Sequence, residues 1–259
     1  MSDVQIHPTA IVDAGAEIGA GSVIGPYCIV EAGVVLGPGC WLQHHVTLCG
    51  PTRAGARNKF YAYCSIGQQT QDLKYAGEPT YLEIGDENAF REFCTVNRST
   101  TADGKTRIGN CGNFLAYSHI GHDCQVGDAV VFSNNGTLAG HVKIGDHAIM
   151  GGLTAVHQFC RIGPFAITGG CSKIVQDVPP FMIADGNPAE IRGINLVGLE
   201  RNGFAPESVK WIKEAFRLIY RSKLNTRQGL EAVRKELPAT EEINQILEFI
   251  EQTERGIIR

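Results

Sequence analysis

An aliphatic or aromatic residue recurs at every sixth position through most of this chain, and that spacing decides what it can fold into. The series begins Ile6, Val12, Ile18, Ile24, Val30, Leu36, Leu42 and Leu48, weakens at Ala54, and returns at Phe60 and Ile66. Asp72 and Glu78 interrupt it. It resumes at Ile84, Phe90 and Val96, breaks at Ala102, and then runs from Ile108 to Ile162, with Thr168 a weak match and Ile174 the last good one. A helix repeats near 3.6 residues and a lone strand at two, so six belongs to neither. A fixed repeat of this kind is the mark of a solenoid, in which no single unit can bury its own apolar residue and many must stack.

Each hexapeptide therefore reads as a short strand plus a corner, with the sixfold residue pointing inward. Glycine follows that residue at 19, 25, 37, 67, 85, 109, 121, 127, 145, 151, 163 and 169, where a corner calling for unusual φ/ψ would favour it. The pattern resembles the hexapeptide-repeat family, and that resemblance implies a mainly β chain: a left-handed parallel β-helix with three hexapeptides per coil.

The 259 residues suffice for one long solenoid and a small appendage. A formal charge of −4 argues against bulk nucleic-acid binding. The start, MSDVQIHPTA, lacks the basic and apolar regions of a secretory signal, and no apolar run reaches the ~18 residues of a membrane span, so we expect a cytoplasmic protein with no transmembrane segment. Nine cysteines raise the question of disulfides or zinc. Six of them (Cys28, Cys40, Cys64, Cys94, Cys124 and Cys160) stand four places after a repeat residue, and no CxxC occurs. One shared phase points to small apolar residues packed in the core, as reduced thiols.

Two stretches leave the register. Gln68–Glu83 (QQTQDLKYAGEPTYLE) is polar, with Gly77 and Pro79, and reads as a loop leaving the scaffold, a common place for binding groups. Gln71 and Lys74 lie in it and could reach a phosphate or sugar. Asn97–Thr106 (NRSTTADGKT) reads as an irregular corner.

Five of the eight histidines (His119, His122, His141, His147 and His157) fall between residues 119 and 159. With three hexapeptides per coil, residues 18 apart lie one above the other. His122 then sits under Gly140, Gly140 under Gln158, and His119 under Thr137. The Gly140 N–H would lie about one strand spacing, ~4.8 Å, from the His122 imidazole. A base beside an open backbone N–H, with Asp123 adjoining, is equipment for acyl transfer. Clustered histidines could instead hold zinc, as they do between subunits of carbonic anhydrases of this fold, and spacing alone leaves both readings open. His147 follows an ordinary repeat and reads as structural.

After Pro188 the sixfold pattern gives way to helical periodicity, dividing the chain into a β-helix over 1–188 and a helical part over 189–259. Pro206 suits the first turn of a helix with Val209, Ile212, Phe216 and Ile219 on one face. Asn225 and Thr240 are credible N-caps for two more. Residues 191–259 carry 12 Lys/Arg against 10 Asp/Glu, while the remainder carries 11 against 17. Arg201, Lys210, Lys213, Arg217, Arg221 and Lys223 could thus form a docking face for an acidic partner.

HIGHDC (119–124), LAGHV (138–142), GGLTAVHQFC (151–160) and GGCSKIVQDVPP (169–180), with QDLKYAGEPT (71–80), GNPA (186–189), IYRS (219–222) and RGIIR at the C-terminus, make the chain similar over its whole length to the bacterial UDP-N-acetylglucosamine 3-O-acyltransferases that begin lipid A synthesis. This resemblance implies transfer of a 3-hydroxyacyl group from acyl carrier protein to the sugar 3-hydroxyl, by a homotrimer with sites between neighbouring solenoids and with no metal or organic cofactor. It implies that His122 is the general base, Asp123 its supporting acid and Gly140 the oxyanion donor. Gln71 and Lys74 match contacts to the nucleotide-sugar. His119, His141, His157 and Gln158 match residues lining the cleft, Asn195 and Arg201 contacts to the nucleotide or the acyl donor, and Gly170 the position that measures the acyl chain. Glycine there implies a long chain. The sequence departs from the family at Val197, where some members carry Glu, at Asn202, where a second Arg is usual, and at Pro188, where a His occurs. An N-acyltransferase acting on an amine, lacking here the extra N-terminal domain of its class, and a non-enzymatic scaffold are the alternatives.

Overall fold

The computed structural model describes residues 3–259. Residues 5–194 contribute 28 short strands in three sheets of 11, 9 and 8, and strands join in the order first, second, third sheet around each coil. All strand pairs but one are parallel and join residues one coil apart, as in Ile24 with Leu42, Ile120 with Leu138 and Val126 with Ile144. The architecture is a left-handed parallel β-helix followed by helices.

The sixfold residues fill the interior. In the first sheet Phe60, Phe90, Phe114 and Phe132 form one column with ring centroids 4.9–5.2 Å apart, all at most 1% exposed. Each such side chain contributes roughly 1.5–3 kcal/mol by leaving water. The six in-phase cysteines are buried and free, as their shared phase predicts. Cys111 and Cys171, three places after a repeat residue, are exposed. The first coil differs from expectation. Ile6, paired only with Ile24 of the following coil among the described residues, remains 48% exposed.

The glycines after the repeat residues need correcting. Of the twelve, only Gly67 has positive φ. The others are required by closeness: a Cβ on Gly25 would land on the Gln43 carbonyl, and one on Gly37 on Gly55 of the next coil. The left-handed conformation belongs instead to the third residue after most repeat positions. Among the described residues nineteen non-glycine residues adopt it, and all but Asp103 and Phe181 stand at that corner position. Each costs about 1–2 kcal/mol relative to ordinary backbone. The corner amide offsets this by donating to a carbonyl of the coil below, as in His45 N–H to Pro26 O (3.0 Å) and His147 N–H to Asp128 O (2.8 Å).

The two interruptions are insertions of whole hexapeptide length, which is why the count by six survives them. Ile66 pairs with Val96, 30 residues on, and Val96 with Ile120, 24 on, instead of 18. Both insertions leave from the corner between the second and third sheets. The first loop is narrower than expected, since Ser65–Gln68 and Tyr81–Ile84 are strands.

At the far end Met182–Gly186 and Ala189–Ile194 form an antiparallel hairpin on the first sheet, so the division at 188/189 falls in its turn. A short helix α1 (Leu196–Arg201), not anticipated from the sequence, follows. Then come α2 (Pro206–Phe216), continued by a π-helical turn to Arg221, α3 (Thr226–Glu236) and α4 (Glu241–Glu251). Asn225 makes a capping box with Gln228, and Thr240 caps α4 through the Ile243 N–H. Ile212, Ile219, Leu230, Val233, Ile243, Ile246, Leu247 and Ile250 are buried between the helices and against the solenoid. Asp177, 1% exposed, ties the parts together by accepting from Arg161 Nε (2.9 Å) and Thr253 Oγ1 (2.8 Å). No helix of the described residues is long and apolar enough to cross a membrane.

Gly25→Ala should lower thermal stability, by at least the ~1–3 kcal/mol typical of overpacking. Gly193→Ala, whose Cβ would meet nothing within 4 Å, should melt with the wild type. Equal melting of both variants would refute the close-approach account.

Candidate active site

The corner between the second and third sheets gathers the histidines. His119 and Ile120 form the strand that enters it, and the corner turns through Gly121, His122 and Asp123. Asp123 (φ 60°) and, one coil on, His141 (φ 61°) hold the left-handed corner position, which aims their side chains out beside the strand ends. The His141 N–H donates to His122 O at 2.9 Å, so the two coils are locked in the register expected from the sequence.

His122 Nδ1 lies 2.8 Å from Asp123 Oδ2, and the two side chains are only 16% and 11% exposed. Burial alone would push the Asp123 carboxyl up. Hydrogen bonds from Ser99, His122 and the Thr100 N–H, with His141 nearby, outweigh it and hold the carboxyl below its ordinary range. An ionised carboxylate only accepts, which assigns the imidazole proton to Nδ1 and leaves Nε2 as a base. Above it stands Gly140. A Cβ there would overlap His122 Cε1 and Nε2, so glycine is required by the imidazole itself. Among the described residues the Gly140 N–H makes no hydrogen bond. The site thus holds a half-buried imidazole, an anchored carboxylate and an unpaired N–H donor within one coil spacing.

The other expected residues divide. His119 is held by Thr95 Oγ1 at 2.8 Å, and burial, then the neighbouring His122, lowers its pKa. The His141 ring stands at 90° to His122, 5.1 Å between centroids, and its Nε2 is 3.7 Å from Asp123 Oδ2. His157 and Gln158 are exposed one coil further along. Gln71 and Lys74 are exposed on the first inserted loop. Gly170 stands away from this cluster, on the corner between the first and second sheets, with only Gly152 O at 3.5 Å from a built Cβ. The Asn195 amide is spent within the chain: Oδ1 caps α1 through the Gly198 N–H (2.9 Å) and Nδ2 donates to Phe165 O (2.8 Å). Arg201 is exposed at the end of α1. Of the basic face, Arg217 is paired with Glu214 at 2.6 Å, and Lys210 lies over the Trp211 ring.

Residues the sequence did not single out complete the site. Ser99 and Thr100 hold Asp123, Thr106 Oγ1 accepts from the Asp123 N–H (2.8 Å), and Phe159 stacks on His141 at 4.6 Å. Phe159 keeps the corner phase of His141 and was readable from the repeat. The others lie in a register break that carries no signal. A cleft of about 430 Å³ opens from Asp123 and His141 past Lys143, Phe159 and Arg161 to Glu254. Donor atoms of His122, Asp123 and His141 lie within 4.8 Å of one another, close enough to gather round a metal ion. Asp123 Oδ2 is already hydrogen-bonded to His122 Nδ1 at 2.8 Å.

Comparison with known proteins gives the family. Residues 177–258 match the second domain of UDP-N-acetylglucosamine O-acyltransferase, and residues 1–38 match the bacterial transferase hexapeptide repeats. Acyl-[acyl-carrier-protein]–UDP-N-acetylglucosamine O-acyltransferases of Thiobacillus denitrificans and a Janthinobacterium are 46% and 48% identical, over 98% of this chain and 99% of theirs. The chain belongs to this O-acyltransferase family. Solved structures agree. The enzyme of Acinetobacter baumannii superposes with a TM-score of 0.94 at 44% identity, covering 98% of this chain and 99% of that one. That of Bacteroides fragilis gives 0.96 at 37%, covering 98% and 100%.

Cys124, the one cysteine adjoining the dyad, faces inward with its thiol pushed up to about 12 by burial. Iodoacetamide at pH 7.5 should label exposed Cys111 and leave Cys124 unmodified in peptide mass maps of the folded protein. Stoichiometric labelling of Cys124 would place a reactive thiol at the site.

Proposed function

We propose that this protein moves a 3-hydroxyacyl group from the thioester of acyl carrier protein to the 3-hydroxyl of UDP-N-acetylglucosamine, opening lipid A synthesis in the cytoplasm. His122 Nε2 takes the proton of the 3-hydroxyl as its oxygen attacks the thioester carbonyl. Asp123 keeps Nδ1–H in place and offsets the imidazolium charge. The Gly140 N–H donates to the oxyanion of the tetrahedral intermediate, an interaction that strengthens as charge develops on that oxygen. Collapse breaks the carbon–sulfur bond, and the carrier thiolate recovers the proton from His122. No acyl-enzyme is required, since the adjoining thiol is buried and un-ionised.

The observation that carries this reading is the His122–Asp123 pair set directly beneath the open Gly140 N–H. Lys74 and Gln71, on a loop joined to the same corner, are suited to the diphosphate and sugar. Gly170 leaves the acyl groove open and suits a long chain. We assign the functional unit as a homotrimer with sites between neighbouring solenoids, in which the exposed His157, Gln158 and Arg201 would face substrate.

The test is a mass-spectrometric transfer assay with UDP-N-acetylglucosamine and a mixture of 3-hydroxyacyl carrier proteins of different lengths. Wild type should yield an O-acylated sugar nucleotide, with the longest chains preferred. His122→Ala should lower kcat by ~10²–10⁴. Unchanged turnover in that variant would remove His122 as the base. No product with any donor would remove the assigned reaction.

A further inference from the structure

The second insertion does more than turn a corner. Its six extra residues lie one coil below Asp123, and they bring Ser99 and Thr100 to the carboxylate. Ser99 is fully buried. Its Oγ donates to Asp123 Oδ1, while the Thr100 N–H donates to Oδ2 at 3.0 Å. Oδ2 also accepts from His122 Nδ1 at 2.8 Å and has His141 Nε2 at 3.7 Å. The Thr101 N–H in turn donates to Ser99 Oγ at 3.2 Å, and the hydroxyl's other acceptor, Thr101 O at 3.4 Å, is more distant than Asp123 Oδ1.

Partners on both oxygens matter because a carboxylate turns easily about its last torsion. His122, Thr100 and His141 all meet the group on one oxygen, which leaves it free to swing. Ser99 alone engages the other. Removing its hydroxyl would strand a buried acceptor and loosen the plane in which Asp123 receives Nδ1–H.

We propose that Ser99 is a positioning residue for catalysis, fixing the plane of the Asp123 carboxylate so that His122 is held as an aligned base. The segment that supplies Ser99 also clamps the other insertion: Thr100 Oγ1 bonds Thr70 Oγ1 (2.5 Å), Asn97 Nδ2 donates to Gln69 O (2.8 Å), and the Arg98 N–H to Gln68 O (2.8 Å). The base of the loop bearing Gln71 and Lys74 is therefore built on the support of Asp123. Burial would raise the Asp123 carboxyl, and the hydrogen bond from Ser99 is the foremost influence holding it low.

This inference rests on the proposed function, and a double-mutant cycle separates the two. Ser99→Ala should lower kcat roughly 10-fold, the size of losing one hydrogen bond to an ionised group, with KM for both substrates within about twofold. In an Asp123→Ala background the same change should have no further effect, because Ser99 acts only through that carboxylate. A residue that merely fills the turn would lower the activity of both backgrounds alike. Wild-type kcat in Ser99→Ala, or a full second loss on top of Asp123→Ala, overturns the assignment. Wild-type turnover in Asp123→Ala would instead overturn the dyad. Should Ser99→Ala fail to fold, Ser99→Cys, near in size but a weak donor, takes its place with the same expectations.

Discussion

Every feature of this protein depends on the backbone ladder that sets residue i beneath residue i+18. Corner amides and strand amides alike donate to the neighbouring coil, at 2.8–3.2 Å around the site. This ladder fixes the interior columns and the glycine-only close approaches. It also holds the left-handed corners, at which ordinary side chains would otherwise be costly. The same register makes the chemistry. His122 and Gly140 are not neighbours in sequence, and no loop conformation brings them together. They face each other because one coil spacing separates them and Gly140 has no side chain to intrude.

A solenoid scaffold is rigid and repetitive, so its function enters where the repeat is altered. Two insertions of whole repeat length leave from one corner without disturbing the phase of the core. One carries the exposed Gln71 and Lys74, and the other the buried Ser99 and the half-buried Thr100. They are bonded to each other, and the second is bonded to Asp123. The exposed polar loop and the support of Asp123 thus come from two neighbouring irregular segments, while His122 and Asp123 themselves stand on regular corners.

Much of this was legible in the sequence because it is periodic. The inward residues, the cysteine phase and the pairing of His122 with Gly140 all follow from counting by six and by eighteen. Capping residues made Asn225 and Thr240 readable in the same local way. What escaped was aperiodic or tertiary. The glycines were read as conformational when closeness requires them, because a sequence does not show how near the next coil's carbonyls lie. Ser99 carries no signal, since its partner is 24 residues away across an insertion of unknown path. The use of the Asn195 amide as a helix cap depends on α1, too short to show helical periodicity.

The central claim is that an open glycine amide seated on His122 makes the catalytic pair. Turnover of Gly140→Ala, in protein shown by melting to be folded, tests it most directly. The account predicts a loss of at least ~10²-fold in kcat, because the added methyl displaces the imidazole from the space it shares with that amide. Turnover within twofold of wild type would contradict it.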